Sequence, residues 1–382
     1  MNIFSLTQLK ELARSEAGNL VVSPPSVSTG LAMLQQGARG RTHLELEKAL
    51  NLYSFHARRV YGGLAKHLQA NMGGPDKTLI VANKIFLQNG FTLLPEFSTI
   101  MATDFSTEVG RVDFRKEHSL QPICQWMSYI TENSITRVFD QDPPKDTDVV
   151  LASVIFYKST WENRFNKKHT KLREFEVSPG KRVTVHTMYH PSMPVRYGSN
   201  PKLKAKWAMI PFESDRFSML VIRPDRRFGL SELIHEMSDK DLYDIFLCSD
   251  ESQVEISLPR IKTTSMLWLN EALAKLGVSS AFSQQSDFTG MTKESLRTSK
   301  FIQKAALEID EAGGIGASST GAQLRRDDKK VAEISFLVDR PFLAAIVETK
   351  LGLPLLFAVV RDPSDDGSHG NEAGSEGDAS CC

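Results

Sequence analysis

The nine residues Val149 to Tyr157, VVLASVIFY, interrupt their apolar run on both alternating faces only at Ser153. Successive strand side chains point to opposite faces, so such a strand has to be covered on both. The run is far too short to span a bilayer. It therefore demands a sheet sandwiched inside a layered domain. Phe217 to Ile222, FSMLVI, makes the same demand, and a chain of 382 residues, 41% of them hydrophobic, can supply the layers.

Other segments fit an α+β architecture. Val27, Leu31 and Leu34 fall at helical spacing between the breaker Ser23-Pro24-Pro25 and Gly37, and Met266, Leu269, Leu273 and Leu276 do so before Gly277. The run TLIVANKIFLQ leads into Asn89-Gly90, the strongest short hairpin cue. Val254, Ile256 and Leu258 alternate as in a strand, and PFLAAIVETKLGLPLLFAVV reads as a hairpin of two core strands. Nothing resembling a linker divides residues 1–363, so one domain is expected there. Residues 364–382 carry no large apolar side chain and read as a disordered tail.

Charge narrows the function. Lys+Arg and Asp+Glu both number 46, which argues against a nucleic-acid or anionic-membrane binder driven by net charge. The first residues, MNIFSLTQLKELARSEAGN, place Lys10 and Glu11 where a signal core would be apolar, and read as a polar-faced helix. With four cysteines, no CxxC and no Asn-x-Ser/Thr sequon, the expected location is cytoplasmic, with unconventional release as the alternative. The ending Cys381-Cys382 behind an acidic spacer is similar to a doubly prenylated terminus; two inert thiols are the plainer reading.

Catalytic motifs are missing. Gly316 to Gly321 has the spacing of a phosphate loop, but Ala322 and Gln323 stand where Lys and Ser/Thr must bind phosphate and metal. There is no GxSxG elbow, and His235-Glu236 lacks the second histidine of a zinc-protease helix. No enzyme, cofactor or metal is expected.

The stretch EIDEAGGIGASSTGAQLRRDDKK, Glu308 to Lys330, then becomes the question: a long bland segment with a charged tip, set between two strands. The chain resembles the serpins, the serine-protease-inhibitor superfamily, from Asn19 to Pro363. The resemblance rests on blocks in the family's order: NLVVSPPS with LAMLQQGARGRT, LIVANKIFLQ, VLASVIFYKSTW, FSMLVIRPD, VEISLPRIK, LAKLGVSSAFS, KAALEIDEAGG and DRPFL. The missing signal core is similar to the intracellular branch. What the resemblance implies is a single α+β domain with large mixed β-sheets, surrounding helices and an exposed reactive-centre loop, about residues 311–335. A protease cuts that loop, whose N-terminal part then inserts into the main sheet.

The resemblance also assigns residues. The hinge begins at Glu311 and Gly313, and the inserting face would be Gly314, Gly316, Ser318, Thr320 and Ala322, all small and uncharged at period two. Trp161 would sit at the top of the sheet where insertion begins. Ser23, Ser26 and Lys304 match the family beneath the sheet, whereas Ser153 and Gln303 replace its usual asparagine and histidine. Gly314 and Gly316 replace a usual Thr or Ser and an alanine, and Ala358 a glycine. Glycine weakens a strand by about 0.5–1 kcal/mol per position, which slows insertion.

Two counts place the scissile bond. Forward from Glu311, the usual hinge length ends at Asp327 and the one-shorter hinge at Arg326; backward from Pro341, the commonest length gives Lys330. The inserting segment must match a sheet, so the forward count is preferred, and between its two ends the cation favours a cut at Arg326–Asp327 over one after Asp327; Arg325 and Lys330 are the further alternatives. The expectation is a covalent inhibitor of a trypsin-like serine protease, acting as a monomer. A non-inhibitory binding or chaperone serpin, or a cysteine-protease inhibitor cut after Asp327, are the alternatives. His56, Arg58, Arg59, Lys66 and His67 on SFHARRVYGGLAKHL would suit a glycosaminoglycan, although a solvated helix face is the plainer reading.

Overall fold

The computed structural model describes residues 3–69, 79–133, 142–157, 159–214, 216–247, 250–296, 299–313 and 332–366. The chain begins with α1 (Ile3–Ser15), β1 (Leu20–Val22), α2 (Pro24–Gly37), α3 (Gly40–Leu50) and α4 (Ser54–Gln69). It continues through β2 (Leu79–Gln88), α5 (Pro95–Asp104), β3 (Gly110–Val112), α6 (Gln121–Ile130) and β4 (Val149–Tyr157). Then come β5 (Lys171–Ser178), β6 (Lys181–Asn200), β7 (Ala205–Pro211), β8 (Phe217–Pro224), α7 (Leu230–Glu236) and α8 (Asp239–Leu247). The last elements are β9 (Glu251–Pro259), β10 (Ile261–Trp268), α9 (Asn270–Lys275), β11 (Ser299–Ile309), β12 (Ile334–Leu337), β13 (Phe342–Glu348) and β14 (Leu353–Val360). Among the described residues no helix is long and apolar enough to cross a membrane.

Two sheets organise these elements. The smaller is mixed, in the order β10–β11–β4–β2–β3, with parallel pairs at β11/β4 and β2/β3. The larger runs β1–β14–β13–β8–β7–β6–β9–β12, with β5 added onto β6. As the sequence requires, β4 is buried along its whole length. Its Val150, Ala152, Val154 and Phe156 join Ile123, Cys124 and Met127 of α6 in one cluster. Its Val149 and Leu151 face the main core, and its Ile155 and Tyr157 the larger sheet.

Helix α2 runs beneath the smaller sheet. Ser23 caps it by accepting from the Ser26 N–H at 3.3 Å, and Pro24 and Pro25 occupy the first turn, where no amide partner is lost. Nearly every α2 residue is buried. Gly30 brings it close: a Cβ there would lie 2.8 Å from Leu151 of β4 and 2.9 Å from Phe301 of β11.

Two sequence expectations fail. Met266 belongs to β10, not to a helix; only Asn270–Lys275 is helical. Its apparent spacing to Leu269 is coincidence, because Ile261, Thr263, Ser265 and Leu267 are the buried alternate residues of a strand. Asn89-Gly90 does turn, with Gly90 at φ +96°, but no hairpin follows. β2 finds its neighbours in β4 and β3, since a central strand gains more from a covered sheet than from a local partner. The β13–β14 hairpin forms as expected.

Candidate functional site

The site is built around the parallel pair β4/β11, which is in register from Val149↔Ser299 to Tyr157↔Leu307. Parallel ladders carry slanted bonds and are slightly less stable per residue than antiparallel ones. Toward the molecule's interior the seam shows Leu151, Ile155 and Tyr157 from one strand and Phe301, Ala305 and Leu307 from the other, all buried. The break in this apolar wall is the register pair Ser153↔Gln303, both fully buried.

That polar pair is knotted to the start of α2. Gln303 Nε2 donates to Ser153 Oγ at 3.2 Å and to the Ser23 carbonyl at 3.3 Å, while its Oε1 accepts from the Ser23 N–H at 3.0 Å. Ser26 Oγ lies 2.8 Å from Ser153 Oγ and donates to Asn83 Oδ1 of β2 at 3.3 Å. Ser23 Oγ donates to the Leu355 carbonyl of β14 at 2.6 Å. Serine and glutamine thus tie both sides of the seam to the helix beneath it. Lys304 is also buried, on the other face, beside Val154 and Met266 in the register.

Above the seam, β11 ends in a fixed corner. The Trp161 amide donates to the Ala312 carbonyl and its indole Nε1–H to the Asp310 carbonyl, both at 2.8 Å. The Phe165 amide donates to the Glu311 carbonyl at 3.1 Å. The Glu311 side chain, 2% exposed, accepts from Thr170 Oγ1 at 2.6 Å and from Arg260 Nε and Nη2 at 2.9 and 2.7 Å. Burial works to raise its carboxyl pKa, but the hydrogen bonds from Thr170 and Arg260 outweigh it and hold the group below the ordinary carboxylate range.

Gly313 turns the chain at a φ of +118°. A Cβ at this position would collide with the Ser159 carbonyl oxygen and lie 2.7 Å from the Trp161 amide nitrogen, so only glycine fits. Gly314, Gly316, Ser318, Thr320, Ala322, Arg325, Arg326, Asp327 and Lys330 lie outside the described residues. The chain is next described from Ala332, and β12 then pairs in parallel with β9, Ile334↔Val254 to Leu337↔Ser257. Arg223 Nη1 donates to the Leu337 carbonyl at 2.7 Å and holds this second stem.

The sequence-assigned residues thus form two groups, one at mid-seam (Ser23, Ser26, Ser153, Gln303) and one at the rim (Trp161, Glu311, Gly313). Thr170, Arg260 and Asn83 complete them and had no local signal, because each reaches the site from a different element. The cations of α4 are divided: Arg58 pairs with Asp104 at 2.6 Å, and His67 Nε2 lies 2.6 Å from Arg216 Nη2. His56 packs against the rings of Tyr53 and Phe55, while Arg59 and Lys66 are exposed.

Comparison with known proteins agrees with this geometry. Residues 1–363 match the serpin (serine protease inhibitor) family. Iripin-8 of Ixodes ricinus is 30% identical over 326 residues, covering 84% of this chain and 81% of that protein. The leukocyte elastase inhibitor of Bos taurus is 30% identical over 338 residues, covering 86% and 88%. Serpin-12 of Manduca sexta superposes with a TM-score of 0.83 at 27% identity, over 94% of this chain and 97% of that one. With the family matched along nearly its whole length and the fold alongside it, the chain belongs to the serpin (serine protease inhibitor) family, which is not a family of enzymes.

Proposed function

We propose that this serpin is a covalent inhibitor of a trypsin-like serine protease, cut at Arg326–Asp327 and acting by insertion of its loop between β4 and β11. The observation that carries the reading is the seam itself. Two parallel neighbours lie side by side, and the chain leaves one of them at Glu311 and turns at Gly313 directly above it. A strand entering there runs opposite to both, so one parallel ladder becomes two antiparallel ones.

The chemistry follows from the timing. The protease serine oxygen bonds to the Arg326 carbonyl carbon, the Arg326–Asp327 amide breaks, and the proton passes to the new Asp327 amino group. Water would next hydrolyse the ester. Freed from its distal stem, the segment from Gly314 zips into the seam and carries the acylated protease with it before hydrolysis. Gly314, Gly316, Ser318, Thr320 and Ala322 present nothing large or charged to the apolar wall. The names of the relatives, inhibitors of proteases, support the same reading.

Mixing with trypsin tests it. A complex that survives SDS, a new N-terminus at Asp327 and a large rise in melting temperature after loop cleavage are expected. A fragment beginning at Val331 moves the scissile bond to Lys330. Cleavage with neither complex nor thermal gain makes the chain a non-inhibitory binding serpin.

A further inference from the structure

The ten residues Arg164 to Arg173, RFNKKHTKLR, hold five Lys or Arg and no Asp or Glu. They connect the two stems of the loop. At one end Phe165 and Thr170 hydrogen-bond Glu311, the proximal stem. At the other, Arg173 Nη1 donates to Ser257 Oγ at 3.4 Å, and Ser257 is the register partner of Leu337. Farther along the same strand the Glu176 amide donates to the Asp339 carbonyl at 2.9 Å. The segment therefore lies between the two points at which residues 314–331 join the described fold.

Its cations are unevenly used. Arg164 faces Glu213 at 3.9 Å, and Arg173 lies over the Tyr189 ring. Lys167, Lys168 and Lys171 are exposed and make no ion pair among the described residues. Exposed His169 lies against the Tyr189 ring, as Arg173 does, while Leu172, 61% exposed, is opposite His186 in the register, on the other face from Lys171. The carboxylates nearby in sequence are Glu162 and Glu174, and Glu174 is paired with Arg182 at 3.0 Å.

We propose that Lys167, Lys168 and Lys171 form a docking surface for an acidic face of the attacking protease, beside its active-site cleft. The proposal rests on the inhibitor reading above and adds partner selection to it. On a chain of zero formal net charge, a local cationic surface between the stems steers only what approaches the loop. Complementary charge raises encounter rates, and salt removes the effect.

Anionic and cationic trypsins cut the same kind of bond and differ in surface charge, so they isolate the effect of charge. The rate of loop cleavage is followed by fragment appearance, for the parent and for K167E/K168E/K171E, at about 0.05 M and about 0.5 M NaCl. The anionic enzyme should cut the parent about tenfold faster than the variant at low salt, and the gap should close at high salt. The cationic enzyme should lose nothing to the reversal, and the two proteins should melt alike. An anionic-to-cationic rate ratio that the reversal leaves unchanged overturns the proposal. So does that result with a loss of heparin-column retention, which would make the surface a polyanion site. Cleavage rates report docking whether or not a covalent complex forms. A charge-dependent ratio without any SDS-stable complex therefore supports the docking surface and defeats the inhibitor reading alone.

Discussion

The rings of Trp161 and Phe212 stack face to face, 4.5 Å between centroids and 4° from parallel, at the end of the seam where the loop departs. Both are buried, and an isolated bridge joins their backbones. The indole therefore sits between a wall of the larger sheet and the Asp310 carbonyl of the smaller one.

Replacing Trp161 by Phe should keep the stack and lose the Nε1–Asp310 bond together with part of the buried ring. A loss of about 1–3 kcal/mol is expected. Urea unfolding followed by circular dichroism measures it, and an unchanged midpoint would show that the rim does not depend on the indole.

Acid should weaken the rim through Glu311. Its folded pKa is depressed, so its stabilisation is fully present above the unfolded value near 4.3 and is lost as pH falls through the folded value. The melting-temperature difference between the parent and Glu311→Gln should be largest near neutrality and shrink below about pH 4. Calorimetry across that range is the check, and a difference independent of pH contradicts the assignment.

At mid-seam, Gln303→Ala strands the buried Ser23 N–H and should cost about 1–3 kcal/mol. Ser153→Ala removes a hydroxyl shared by Ser26 and Gln303. Because the two side chains belong to one network, the double variant should lose less than the sum of the singles, by at least about 0.5 kcal/mol. Strict additivity would mean that they act independently.

Much of the architecture was legible because burial dictates composition. A strand covered on both faces has to read like VVLASVIFY, and Pro24-Pro25 followed by apolar residues to Gly37 can hardly be anything but a capped helix. Met266 misled because an edge strand leading into a helix concatenates two periodicities. Asn89-Gly90 misled because a turn fixes chain direction and not the partner strand. The site was less legible. Ser23, Ser153 and Gln303 lie far apart in sequence, and only the family resemblance joined them. Arg260 and Thr170 carry no mark that they hold Glu311, since a surface arginine and a loop threonine look alike wherever they fold.

Gly314→Arg puts a guanidinium in the first position of the proposed inserting face. Burying that charge without a partner is prohibitive, so the variant should be cut by trypsin at the parent's rate and release active enzyme. Its native melting temperature should be unchanged. Parent-like amounts of SDS-stable complex would refute insertion through this face.

The cluster under α6 takes Val150, Ala152, Val154 and Phe156 from β4 and Ile302 and Ala306 from β11. The cluster therefore crosses the line along which the sheet would part. Widening that line by one strand spacing, about 4.8 Å, shears the cluster along its length, and packed side chains resist shear by having to leave their holes together. Friction, rather than the depth of the final energy well, then sets how fast the sheet opens. Substitutions in this patch should tune the race against ester hydrolysis without touching the loop, the rim or the mid-seam polar pair.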